Sequence, residues 1–235
     1  MVGPFVFYHK IDTAPRDARI RGGYTPRKRF TRQMAFLKRE GFVFYTASEM
    51  IEHYIANGSF PERGLAITFD DGWKDNYENA FPVMQEFGIK ATIFLISSCV
   101  GERSVKAQSD GEGEREHLSL EDVQEMSDYG IEFGSHTVNH KLLDRVPMDE
   151  VKIEVEDSKR QLEEMLKKPC NVFAYPGGHF NEASRRAVEN AGYTAGFSTT
   201  YGSKDSLDLF ALNRTEILRR DRFLYQFARK VKPLL

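Results

Sequence analysis

The stretch Ala91–Ser97, Ala-Thr-Ile-Phe-Leu-Ile-Ser, restricts the folds open to this chain more than any other feature. It is apolar nearly throughout, as a strand of a parallel sheet covered on both faces must be. Such a sheet needs helices between its strands, and the rest of the sequence alternates accordingly. Val2–Tyr8 reads as a first buried strand, followed by a polar loop from Asp12 to Lys28 carrying Pro15, Gly22, Gly23 and Pro26. Phe30–Glu40 has Phe30, Met34 and Leu37 at helical spacing, with Gly41 as its stop. Phe42–Tyr45 is a short strand, and Thr46 with Glu49 forms a capping box for a helix to about Ala56. Leu65–Phe69 is the next strand, and Tyr77–Phe87 a helix stopped by Gly88.

Beyond the central strand the alternation continues. Glu102–Glu116 is a polar loop expected over one rim, and Ser119 opens a helix to about Tyr129. Strands are expected at Ile131–His136, Asn171–Tyr175 and Gly196–Thr200. Helices are expected at Met148–Lys168, from the Asn181 cap to Ala191, and at Arg222–Val231 as a closing element. With no linker and no repeat, the pattern predicts one α/β domain over residues 1–235, of barrel type.

Composition narrows function mainly by exclusion. The 33 basic and 35 acidic residues nearly balance, so nothing points to nucleic acid or an acidic membrane as partner. No run approaches the roughly 18 apolar residues of a membrane span, and the first nine residues lack the pattern of a signal peptide. A cytoplasmic location is the expectation that follows; oligomeric state is not readable. Cys99 follows one predicted strand and Cys170 precedes another, so the two are expected at opposite barrel ends as free thiols.

Chemistry concentrates at two strand ends. Ile67-Thr-Phe-Asp-Asp-Gly72 places adjacent carboxylates, Asp70 and Asp71, where a buried strand stops and Gly72 turns the chain. Successive strand residues face opposite ways, so the two acids need not share one environment. Alone, the pair is a solvated turn. The second feature, Gly134-Ser-His-Thr-Val-Asn-His140, puts His136 and His140 within reach of one point just past another strand end. One carboxylate and two imidazoles suit zinc or a similar divalent ion with positions left open for water.

Thr68-Phe-Asp-Asp-Gly72 followed about 65 residues later by His136-Thr-x-x-His140 resembles the polysaccharide deacetylase family, the NodB-homology group also called carbohydrate esterase family four. The likeness extends to Tyr8-His9, the Phe30-x-x-Gln33-Met34-x-x-Leu37 helix, Lys90–Phe94, and Phe173-Ala-Tyr-Pro-Gly-Gly178 through Asn181. It implies a distorted (β/α) barrel with fewer than eight strands, about seven. It also implies a metal-dependent hydrolase that removes N-acetyl groups from amino sugars of a polysaccharide or its biosynthetic precursor. Carried over by position, Asp71, His136 and His140 are the metal ligands, with Zn2+ first and Co2+ or Ni2+ also suited. Asp70 is the general base, and the N–H of Gly177 steadies the oxyanion.

Three positions depart from the family pattern. Ala174 stands where an arginine usually steadies the base, and Gly177 replaces an aromatic wall, which is expected to widen the cleft. No histidine follows His179, so the late Leu-x-x-His acid has no counterpart; Leu212–Ile217 there resembles the arginine-bearing variant of exopolysaccharide deacetylases. His9, at the end of the first strand, is the first candidate for the acid, against a packed or supporting imidazole. His179 is the second, against an exposed loop position.

Trp73 and Tyr175 are read either as sugar-stacking surfaces or as packing. Arg214 either orders the site through a carboxylate or lies on the surface. His53 and His117 are expected to face solvent, and Arg27-Lys28-Arg29 with Arg32 to form a solvated helix start. Two rival functions remain open: the same machinery on a different C–N amide, and a degenerate carbohydrate-binding domain without catalysis.

Overall fold

Strand alternation and short crossovers together roll the apolar runs into a parallel barrel in the computed structural model, which describes residues 3–16, 18, 21–103, 115–199 and 207–232. The elements in order are β1 (Phe5–Tyr8), α1 (Arg27–Arg39), β2 (Val43–Tyr45), α2 (Ala47–Asn57) and β3 (Gly64–Phe69). A π-helical turn, Asn76–Ala80, leads into α3 (Phe81–Phe87), then β4 (Thr92–Leu95), α4 (Leu120–Tyr129) and β5 (Glu132–Ser135). The long helix expected after β5 is α5 (Met148–Lys152) and α6 (Ser158–Leu166), joined by π-helical Ile153–Asp157. There follow β6 (Val172–Ala174), α7 (Glu182–Asn190), β7 (Ala195–Ser198), β8 (Leu212–Asn213), β9 (Thr215–Glu216) and α8 (Leu224–Val231). Val2, Thr200 and most of the Glu102–Glu116 loop lie outside the described residues.

All pairings are parallel, in the order β8-β7-β6-β5-β4-β3-β1-β9, with β2 beside the start of β3. The seam is one extended segment, Leu212–Glu216. Its first half pairs with Phe197 and Ser198 of β7, and its second half with Val6 and Phe7 of β1. One short run therefore bonds both edges and joins them, completing the distorted (β/α) barrel. Arg214 sits at the crossover between the two pairings.

The period of two sorts the residues into an inner and an outer core. Phe5, Ala66, Phe94, Val172, Ala174, Ala195, Phe197 and Leu212 fill the barrel, plugged at one end by Ala47, Met50 and Ile51 of α2. Val6, Ile67, Phe69, Ile93, Phe133 and Phe173 face outward onto Phe30, Met34, Val123, Val155 and Leu162 of the helices. Gly134 faces inward where a Cβ would lie 2.8 Å from the Val172 carbonyl oxygen, so no larger residue fits. The next inward positions, just past the strand ends, are His9, Asp70 and His136. The barrel thus delivers three predicted site residues to one rim.

The capping boxes at Thr46, Ser119 and Asn181 are present and fix where α2, α4 and α7 begin. Cys99 follows β4 and buried Cys170 precedes β6, and neither is in a disulfide. Among the described residues no helix is long and apolar enough to cross a membrane.

Candidate active site

Asp71, His136 and His140 present ligand atoms that all lie within 4.8 Å of one another. Asp71 Oδ1 is 3.5 Å from His136 Nε2 and 3.3 Å from His140 Nε2. Two donors each about 2.1 Å from a tetrahedral zinc ion stand about 3.4 Å apart, so these spacings fit one cation. The remaining atoms of two ligands are already engaged. His136 Nδ1–H donates to the Ala174 carbonyl at 2.7 Å, which turns the Nε2 lone pair toward the site. Trp73 Nε1–H donates to Asp71 Oδ2 at 2.9 Å, leaving Oδ1 for a metal. Burial pushes the His136 imidazole down to about 4, so it is neutral and able to ligate at physiological pH.

The backbone is bent to make this happen. Asp71, Thr137 and His140 all adopt positive φ, at 76°, 68° and 57°, where residues other than glycine seldom sit. Such strain persists only if the surroundings hold it. Glu154, buried in the π turn between α5 and α6, supplies part of the hold. Its carboxylate accepts the Asn139 backbone N–H at 2.7 Å and its side-chain amide at 2.8 Å, pinning the residue before His140.

Asp70 turns the other way, into the barrel. Arg214 grips both its oxygens, Nη1 to Oδ1 at 2.7 Å and Nη2 to Oδ2 at 2.8 Å, while Nη1 also donates to Thr68 Oγ1. The guanidinium is itself buried, stacked 4.5 Å from the Phe7 ring and 5.2 Å from that of Phe94. Arg214 is therefore no surface residue: it provides, from the barrel seam, the cation that Ala174 does not. Burial pushes the Asp70 carboxyl up, but Arg214, then His136, outweigh it and hold the group below its ordinary value. Asp71 is held well below its ordinary value, burial again being overcome, chiefly by His140.

His9 lies at this rim beside Phe7, and its charge acts on both Asp70 and Asp71. Its Nδ1 is buried and has no hydrogen-bond partner among the described residues. Gly177 has φ 61°, and the two hydrogen bonds of its turn come from Gly178 and His179 rather than from its own N–H. A Cβ on Gly177 would meet His179 Cδ2 at 3.1 Å and Leu142 Cδ2 at 3.4 Å. His179 and Leu142 therefore lie close against this turn. His179 itself is 42% exposed and faces Asp144 at 3.4 Å.

Of the two readings open for Trp73 and Tyr175, sugar stacking or packing, burial favours packing. Trp73 is 6% exposed, stacked on His117 at 4.3 Å, with Lys10 Nζ over the ring at 4.2 Å. Tyr175 is fully buried in the outer core, stacked on Phe180 and donating its hydroxyl to the Phe210 carbonyl. It follows Ala174 on β6, and alternation sends it outward. His117 also departs from expectation: it is buried, and its Nδ1–H donates to the Asp71 carbonyl at 3.0 Å. No local pattern around His117 or Glu154 announces these roles, because both act across long sequence separations. His53 is half-buried, hydrogen-bonded to the Ser59 carbonyl.

The same barrel is found in solved deacetylases. Streptococcus pyogenes deacetylase PplD, in complex with acetate, superposes with a TM-score of 0.83 at 26% identity, covering 98% of each chain. The Bacillus cereus polysaccharide deacetylase BC0361 gives 0.80 at 26% identity, over 98% of this chain and 69% of that one. In sequence, the chain is 32% identical over 216 residues to YxkH of Bacillus subtilis (strain 168), a protein named among the polysaccharide deacetylases. That match covers 91% of this chain and 71% of the relative. It is also 30% identical over 180 residues to a poly-beta-1,6-N-acetyl-D-glucosamine N-deacetylase of Staphylococcus aureus (strain MSSA476), covering 72% of this chain and 59% of that protein's length. The polysaccharide deacetylase family model matches residues 57–196, which include both acids and both histidines. The chain belongs to the polysaccharide deacetylase family.

Proposed function

We propose that this chain is a metal-dependent hydrolase that removes N-acetyl groups from the amino sugars of a polysaccharide or its biosynthetic precursor. The observation that carries this is the division of labour between neighbours: Asp71 faces two imidazoles, while Asp70 is bound by Arg214 and kept off that cluster. A purely binding domain has no use for a second, ionised acid beside its ligands. The Staphylococcus aureus relative is named for an N-acetylglucosamine polymer, and the Streptococcus pyogenes structure holds acetate, the acid that N-deacetylation releases.

Asp71, His136 and His140 would hold the cation, zinc before cobalt or nickel. When bound, such an ion supplies Lewis acidity toward the amide carbonyl and lowers the pKa of water from about 15.7 toward 7. Asp70, ionised at neutral pH, accepts the proton of the attacking water. The Gly177 N–H donates to the carbonyl oxygen as negative charge develops there. His9 delivers a proton to the leaving nitrogen, since an amine anion does not leave unprotonated.

The test is acetate release from N-acetylglucosamine oligomers by metal-stripped, zinc-reloaded and Asp70→Asn protein. Zinc-dependent release that falls about 10²–10⁴-fold in Asp70→Asn, with zinc still bound, is the expected result. A wild type that binds zinc but frees no acetate from any N-acetyl sugar would move the reading to a different C–N amide.

A further inference from the structure

A second cleft opens between the first turns of α1 and α8, with a volume of about 320 Å³, near the low end of ligand pockets at roughly 300–1,000 Å³. Lys28, Arg29, Arg32 and Arg222 line it, together with Gln33 and Asp221. Among the described residues none of these four cations forms an ion pair. Asp221 is the one acid in the lining; its Oδ2 accepts from Lys230 Nζ at 2.6 Å and the Leu218 N–H at 2.8 Å, and its charge partly offsets that of Arg29.

The helix ends add to the positive field. The first turns of α1 and α8 contain no acidic residue, and Pro26 gives α1 no side-chain cap. A helix start carries roughly half a positive charge and favours acids there, yet α1 begins Arg27-Lys28-Arg29. The guanidinium of Arg29 is anchored by a 2.9 Å hydrogen bond to the Arg219 carbonyl. Burial first, then Arg219 and Arg222, push its pKa down, and Asp221 only partly opposes them. Such crowding of like charge is unfavourable unless an anion relieves it.

An independent observation points to the same ligand. Gln33 is 1% exposed, and its Oε1 accepts the Tyr8 hydroxyl at 3.0 Å. Its Nε2 is buried with no partner, and Gln33 forms part of the cleft wall. An unmet buried donor is unfavourable, and an acceptor entering from the cleft is one way to meet it. We infer that this cleft is a phosphate-binding subsite, taking a phosphomonoester or phosphodiester group, held by Lys28, Arg29, Arg32 and Arg222 with Gln33 in its wall. Gln33, in the wall of the cleft, accepts the hydroxyl of buried Tyr8, and the residue after Tyr8 is His9 at the candidate active site.

The test is binding to metal-stripped protein, so that phosphate cannot report on a cation at Asp71. Inorganic phosphate and glucose 1-phosphate are titrated calorimetrically into wild type, Arg29→Gln/Arg32→Gln and Lys28→Ala/Arg222→Ala. Saturable binding of either phosphate, weakened tenfold or more in both variants, is expected. The variants' melting curves in phosphate-free buffer check that the fold persists. Equal binding by wild type and variants would overturn the inference, as would no saturation. Vesicles of phosphatidylcholine with and without phosphatidylglycerol form the last arm. Binding to the anionic vesicles alone, with no soluble phosphate bound, would also overturn it and mark a membrane-facing patch. None of these readouts depends on deacetylation.

Discussion

Asp70 and Asp75 are five residues apart, both buried, and their surroundings drive them in opposite directions. Asp70 stands in the barrel mouth with a guanidinium on both oxygens and is held below its ordinary value. Asp75 lies behind the same loop, where its Oδ1 accepts the Ile11 N–H at 2.6 Å and Asn76 Nδ2 at 3.1 Å. No ion pair reaches it among the described residues. Burial pushes it up to about 7, Asp12 pushing the same way. The contrast separates desolvation from charge pairing: two carboxyls share depth, and only the one with a bidentate arginine is firmly ionised. A base must be ionised; an anchor that ties Ile11 and Asn76 in place can be either form.

The largest expected effect comes from removing the cation that makes the difference. Arg214→Met leaves an unpaired buried carboxylate and should cost about 3–5 kcal/mol in urea denaturation near neutral pH. Adding Asp70→Asn should recover most of the loss, because the stranded charge goes with it. If the double variant is no more stable than the single, packing of Arg214 against Phe7 and Phe94 matters more than the pair.

A slightly smaller effect should appear on the Asp75 side, with a definite sign. The folded pKa is raised above the unfolded value of 3.8, so the folded protein binds more protons between the two. This contribution to stability is fully present below the unfolded pKa and is lost as pH rises through about 7. Asp75→Asn keeps an oxygen for Ile11 and removes the titration. Relative to wild type, the variant should gain about 1.4 kcal/mol per pH unit across that window and then level off. A constant difference from pH 4 to 8 would show that Asp75 does not titrate as described.

The smallest of the three concerns Asp71. Trp73→Phe keeps most of the packing on His117 and removes the N–H that fixes Asp71 Oδ2. Zinc affinity, measured by competition with a chelator, should fall about 10–100-fold with little change in melting temperature. Unchanged affinity would mean that the backbone alone orients Asp71.

The sequence by itself determined the architecture and the meeting of Asp71, His136 and His140 at one rim. Apolar strands, helical spacing and capping residues are local signals, and β1–β7 and the capped helices follow them. Asp70, Asp71, His136 and His140 were legible because strand ends of a parallel barrel share a rim, so two short motifs suffice to place them. The tertiary structure alone decided what surrounds those residues. Alternation along β6 sends Tyr175 outward into the layer beneath the helices, and the ring of Trp73 is covered by His117 and Lys10. The arginine missing at Ala174 returns as Arg214, 144 residues from Asp70 in sequence. The basic start of α1, a solvated face when read locally, meets the start of α8 only when the closing helix docks. Each of these depends on which side chain arrives from a distant segment, and charge pairing, desolvation and stacking act over a few ångströms of space rather than along the chain.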